Sequence, residues 1–233
     1  MKRISVLLSM MAICLVSYSQ NRVKASEIIK QINSSKNVSY SNVEIEGELD
    51  LTDLDNREVK RSSSNWFGSD NDVFESHVEV SLSFVNCTFL DNVLAYYHVD
   101  YKNDTYIAQF ESDVIFKNCV FKRASEFKYS EFPEKVDFSG STFNRDANFK
   151  YAEFSEGPNF AGAKFEDEAN FKYAEFPRNT SFEKASFYGL ANFKYSKFRT
   201  PLNMDNVAFR GSEDFKYTKV DGRNFTSYLL DKR

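Results

Sequence analysis

From Phe116 onward the phenylalanines stand at 116, 121, 127, 132, 138, 143, 149, 154, 160, 165, 171, 176, 182, 187, 193 and 198, with gaps alternating strictly between five and six residues. The period is eleven, and a doubled period is visible as well. Phe127-Lys128-Tyr129-Ser130-Glu131-Phe132 recurs with small changes from Phe149, Phe171 and Phe193, and again as Phe215-Lys216-Tyr217-Thr218-Lys219-Val220, each start 22 residues after the last. A chain with 24 Phe and 13 Tyr but a single Trp is filling one kind of position repeatedly.

An eleven-residue period can mark a right-handed helical coiled coil. On a helix turning about 100° per residue, however, the two Phe of each repeat would stand roughly 140° apart and share no seam. Pro133, Pro158, Pro177 and Pro201, with Gly140, Gly157, Gly162, Gly189 and Gly211, would also break such a helix within a few turns. The local pattern suits a very short strand instead. Two residues before each Phe stands a small or β-branched residue, among them Ser130, Val136, Ala147, Ala169, Thr180 and Ala191, and positions two apart share a face. Polar residues, Gly, Pro and Asn in between suit turns. Four units of 5, 6, 5 and 6 residues make a coil of 22. Phe127, Phe149, Phe171, Phe193 and Phe215 then fall into one stack, with parallel coils about 4.8 Å apart.

On these residues the chain resembles the pentapeptide-repeat family, whose units carry a large central apolar residue and a small residue two positions before it. The resemblance runs from Phe116 to about Val220 and extends over Val43 to Phe89. It departs from the common pattern in using Phe rather than Leu at the centres and in adding a sixth residue to every second unit. What it implies is an all-β fold, a right-handed quadrilateral β-helix over residues 37–230, with insertions at 55–77 and 94–109. Residues 20–36 are expected to hold a short N-terminal capping helix, because a solenoid exposes its apolar interior at both ends. Ser26 is the expected cap of that helix, with Ile28, Ile29 and Ile32 near one face. Val43, Ile45, Leu49, Leu51 and Leu54 alternate with polar residues as the first coil. At the other end Tyr228, Leu229 and Leu230 either close the stack or, left exposed, form the homodimer contact that the resemblance suggests.

Residues 1–19 have the form of a secretory signal peptide: Lys2-Arg3, an apolar run from Ile4 to Val16, and the small-residue site Ser17-Tyr18-Ser19. The expectation is export from a bacterial cell, to the periplasm or beyond, with Gln20 starting the mature chain. Acylation at Cys14 is disfavoured by the bulky Ile13 before it. No later segment reaches the roughly 18 apolar residues of a membrane span, so no transmembrane segment is expected. Without Lys2 and Arg3 the 30 basic side chains fall to 28 against 34 acidic ones, with no basic block. Nucleic acid is therefore not an expected partner, and the gyrase-blocking DNA mimicry of some relatives would in any case require a cytoplasmic protein.

No catalytic, cofactor or metal site emerges from the residue pattern. His77 and His98, the only histidines, lie at the edge of or inside the insertions and accompany no nucleophile, phosphate loop or metal-ligand spacing. Cys87 and Cys119 hold the same small inward position and come onto adjacent coils once the insertion between them is looped out; two buried free thiols are expected rather than a disulfide. The outward residues are more informative. Lys128, Lys150, Lys172, Lys194 and Lys216 should form one ladder, and Tyr129, Tyr151, Tyr173, Tyr195 and Tyr217 a second. Glu131, Glu153 and Glu175, continued by Lys197 and Lys219, form a third, with the glutamates offsetting the repulsion among the first-ladder lysines. The tyrosines either stack to stiffen a corner or offer a face to a partner. The insertions, with Trp66 in the first and Tyr96, Tyr97, Tyr101 and Tyr106 in the second, are either binding loops or hairpins that extend the first coils. The sequence thus reads as a non-enzymatic exported scaffold for an unknown protein or glycan of the cell envelope. A glycan-binding module is the alternative, and an enzyme acting on polysaccharide the third reading.

Overall fold

The computed structural model describes residues 21–60 and 72–231. Short parallel strands stack into a right-handed, four-sided β-helix. Face 1 runs through Val38–Ser41, Leu82–Val85, Val114–Lys117, Val136–Asp137, Thr180–Ser181 and Leu202–Asn203. Face 2 is the longest, eight strands from Asn21–Lys24 to Ala208–Phe209. Face 3 runs from Leu49–Asp50 to Glu213–Asp214, and face 4 includes Glu131–Phe132, Glu153–Phe154, Glu175–Phe176, Lys197–Phe198 and Lys219–Val220. Register steps by 22 residues in the regular region, as in Ala147↔Ala169 and Ala169↔Ala191.

The core is a set of aromatic columns. Phe121, Phe143, Phe165 and Phe187 stack on face 2 with ring centroids 4.6, 4.9 and 4.8 Å apart. Phe127, Phe149, Phe171, Phe193 and Phe215 stack on face 3 at 4.9–5.1 Å. Columns on opposite faces meet edge-on: Phe160 and Phe171 lie 5.4 Å apart at 77°, a geometry that sets the positive ring edge against the negative ring face. The small partner of each Phe leaves room for this. Ala152, Ala163, Ala174 and Ala185 are fully buried at the turns.

Each end is closed. Helix α1, Ala25–Asn33, buries Ala25, Ile28 and Ile32 against the first coil, while Ile29 is half-buried. Ser26 does not cap it. The helix is entered directly from the strand Asn21–Lys24, so Lys24 occupies the N-cap position without a side-chain hydrogen bond and Ser26 falls within the first turn. At the far end helix α2, Phe225–Asp231, lays Phe225 on Phe215, centroids 4.2 Å apart. Tyr228 is 5% exposed and donates from Oη to the Leu202 carbonyl at 3.3 Å. Tyr228 thus closes the stack and is withdrawn from the expected homodimer contact; the side chains of Leu229 and Leu230 lie outside the described residues, as do residues 1–19, Gln20, Cys14 and Trp66. No helix of the described residues is long and apolar enough to cross a membrane.

Candidate interaction surface

The two insertions form one structure. Glu58–Lys60 pairs antiparallel with Val73–Val78, and Tyr96–Val99 pairs antiparallel with Asp104–Phe110. The two inner strands then run parallel, Thr105↔Val73 through Phe110↔Val78. They are outward prolongations of face 4 in the first two coils: Val78, Ala108 and Phe110 are buried, and Phe110 stacks on Phe132 at 4.7 Å. The boundaries at 77 and 109 therefore fall inside continuous strands, while residue 55 lies in a turn and Leu94 ends the short strand Val93–Leu94. Of the two readings of the insertions, the described residues have the form of hairpins that extend the first coils. On one face of this four-stranded sheet the neighbouring residues Tyr97, Tyr106, Phe74 and Val59 form a row. Tyr106 stacks on Phe74 at 4.6 Å, and the Arg57 guanidinium lies over both rings at 5.4 and 5.9 Å. Tyr97 is half exposed, and Tyr101, in the hairpin turn, is 85% exposed.

The corner between faces 3 and 4 is built from the recurring Asn-Phe-Lys-Tyr. Asn148, Asn170 and Asn192 each accept, through Oδ1, the backbone N–H of the lysine two residues on, at 3.2, 3.1 and 3.3 Å. This is an Asx turn, which pre-bends the chain. The bend closes with the N–H of Ala174 donating to the Phe171 carbonyl at 3.0 Å, and likewise in the coils on either side. Its third residue must take positive φ, the signature of a type II turn, and that residue is tyrosine every time: Tyr129, Tyr151, Tyr173, Tyr195 and Tyr217 have φ of 60–64°. Bulky residues rarely adopt this conformation. The equivalent place at the corner between faces 1 and 2 goes to the residues that accept it readily, Asn86, Asn118, Gly140, Gly162 and Asn206, with Lys184 as the departure.

The tyrosines recover the cost by stacking. Ring centroids from Tyr129 to Tyr217 are 4.7–4.9 Å apart, with planes within 18° of parallel. The column reaches into the second hairpin, where Tyr96 lies 5.9 Å from Tyr129. Each lysine lies over its own tyrosine: Lys150 and Lys172 at 5.1 Å, Lys194 at 5.5 Å. Lys128 bridges column and hairpin, 4.2 Å from the Tyr96 ring and 4.8 Å from that of Tyr129, with Nζ donating to Tyr96 Oη at 2.8 Å. The expected offset by glutamates is thus corrected. Among the described residues none of these five lysines forms an ion pair, because the tyrosine row separates them from face 4; the only ladder glutamate with such a partner is Glu175, paired to Lys197 on its own face. Partial desolvation first, then the charges of Lys128 and Lys172, hold the Lys150 ammonium below the ordinary lysine value.

The glutamate row of face 4 is longer than expected. Gln109 and His77 continue it into the hairpins, Gln109↔His77 being paired and Gln109 Oε1 accepting the Glu131 N–H at 2.7 Å. His77 Nδ1 lies 2.8 Å from Glu111, and His98 Nδ1 lies 3.0 Å from Thr105 Oγ1. A cleft of about 470 Å³ lies where this row meets the hairpin sheet, lined by Glu75, Gln109, Glu131, Glu153, Tyr129 and Tyr151 among others. Glu75 is 6% exposed and ion-paired with Lys60. No group of three or more His, Cys, Asp or Glu among the described residues could hold a metal ion. Cys87 and Cys119 are free and buried on neighbouring coils. Contact with the Cys119 thiol brings Cys87 down to about 7, and the same contact, with burial, pushes Cys119 up.

Sequence reading missed the asparagines, Gln109 and the Arg57–Phe74–Tyr106 cluster. The Ala-Asn-Phe-Lys-Tyr recurrence at 147, 169 and 191 carried the first signal in plain view; the cluster depends on a pairing between two distant insertions and left none. A family model described as pentapeptide repeats (9 copies) matches residues 108–153 and 149–197. No curated protein and no solved structure matches the chain.

Proposed function

We propose, since the chain is a pentapeptide-repeat protein, that it is a non-enzymatic scaffold of the cell envelope whose rigid prism presents the hairpin sheet and the Lys-Tyr corner to a partner. The observation that carries this reading is their continuity. Lys128 ties Tyr96 of the hairpin to Tyr129 of the column, so aromatic and cationic groups form one surface from Tyr96 to Tyr217, while the Tyr97–Tyr106–Phe74 row lies on the other face of the hairpin sheet. Ladders that satisfy only the scaffold have no need of such a junction. The apolar run and small-residue site of residues 1–19 support export. A neutral-sugar platform is less well supported, because Tyr151, Tyr173 and Tyr195 each have a stacked tyrosine ring on both faces.

The test is co-sedimentation of the protein, starting at Gln20, with washed envelope fragments. Beside it runs the variant Tyr96→Ala/Lys128→Ala, which removes the junction between hairpin and column. Saturable binding by the first, weakened at least about tenfold in the second, is expected for loss of a central aromatic patch. Absence of saturable binding by the unaltered protein would sink the reading.

A further inference from the structure

The Lys-Tyr corner has a charge pattern narrow enough to select among partners. Its five lysines leave the helix once per coil, in the register fixed by Ala147↔Ala169 and Ala169↔Ala191. Their repeat is therefore the coil rise, which the tyrosine centroids measure as 4.7–4.9 Å. The stripe is one side chain wide. On its face 3 side lie the uncharged Asn148, Asn170 and Asn192 in the middle three coils, with Glu126 and Asp214 in the same row at the two ends, and on its other side the tyrosines; beyond these stand Glu131, Glu153 and Glu175. Like charges held at this spacing repel one another, and no carboxylate of the described residues pairs with them, so an external row of anions would relieve them.

We propose that this stripe binds a single chain of a linear acidic polysaccharide, with one carboxylate per sugar, laid along the solenoid axis. The proposal rests on the scaffold reading and names its partner class. A polymer of hexuronate units places about one charge per coil, whereas a nucleic-acid duplex carries one per roughly 1.7 Å and needs a broad basic surface. Here a duplex would overhang the Glu131–Glu175 row, on a chain whose net charge is already negative. The tyrosine hydroxyls and the amide nitrogens of Asn170 and Asn192, whose oxygens the turns have taken, are suited to sugar hydroxyls. Charge, rather than ring stacking, makes the selection, because the ring faces are occupied.

Titration calorimetry with an oligogalacturonate tests this, against its methyl ester and single-stranded DNA, for the protein and for the variant Lys150→Gln/Lys172→Gln/Lys194→Gln. Gln keeps part of the aliphatic cover over each ring, and a matching circular dichroism spectrum establishes that the variant folds; Lys→Arg at the same three sites should retain binding. The expected result is oligogalacturonate binding that weakens as salt rises, no binding of the ester, and affinity at least roughly tenfold lower in the Gln variant. Equal affinity in the Gln variant, binding of the ester, or tighter binding of DNA would overturn the proposal. Envelope binding that survives in the Gln variant would overturn it while leaving the scaffold reading intact; envelope binding absent from the unaltered protein removes the scaffold reading itself.

Discussion

Glu126 stands where Asn148, Asn170 and Asn192 stand in the following coils. Burial raises its pKa, while the hydrogen bond from Asn148 Nδ2, 2.7 Å from the carboxylate, and the nearby Lys128 charge lower it only in part. An acid whose folded pKa is raised binds its proton more tightly in the fold than in the open chain. Stability from this group is therefore greatest below the ordinary value of 4.5 and is lost as pH rises through the higher folded value. Glu126→Gln keeps a partner for Asn148 and removes the charge. We expect the variant to melt at a higher temperature than the parent at pH 7, with the gain vanishing as pH falls below 4.5. Equal melting temperatures at pH 7 would mean that Asn148 and Lys128 fully offset the burial.

The turn between faces 3 and 4 is an element in which two terms nearly balance. Positive φ costs a side chain about 1–2 kcal/mol, while an aromatic pair contributes roughly 0.5–1.5 kcal/mol beyond its buried area. Tyr173, with a stacked ring on each side, sits near the crossing point. Tyr173→Gly removes the strain and the stacking together, and should change stability by no more than about 1 kcal/mol. Tyr173→Val keeps the strain, worsened by β-branching, and loses the stack, so a loss of about 2 kcal/mol or more is expected. Urea unfolding of both variants decides this. A Gly variant as unstable as the Val variant would show that stacking, not backbone conformation, governs the corner.

In the whole molecule each coil touches only its neighbours, so the ends carry a burden that the middle does not. Helix α2 covers the last coil through Phe225 and Tyr228, while Met204, Val207, Phe209 and Phe215 remain only partly buried. Ending the chain after Asn224 would strip the cover from Phe215 and Leu202 and leave unpaired strand edges beside apolar surface. The truncated chain is expected to self-associate, read as a mass above the monomer by light scattering at concentrations where the full chain has a smaller one. An unchanged mass would show that the cap protects nothing that matters for association.

The alternation of five and six and its 22-residue doubling determined the coil, the aromatic columns and the vertical ladders without help from the structure. A solenoid translates sequence period directly into spatial neighbours, so Phe171 had to meet Phe149 and Phe193, and Tyr173 had to meet Tyr151 and Tyr195. Cys87 and Cys119 followed from the same logic. What the period cannot carry is anything that departs from it or runs around the coil rather than along it. The two insertions have no repeat, and their joining into one sheet rests on backbone pairing between strands some thirty residues apart, Thr105↔Val73. That Lys150 lies on tyrosine rather than against Glu153 depends on how the corner turns at positive φ, a local torsion that the spacing of residues leaves open. Ser26 was misplaced for a related reason: pairing of Asn21–Lys24 with Val43–Glu46 draws the strand up to the helix and takes the N-cap position for Lys24, a long-range contact overriding a local preference.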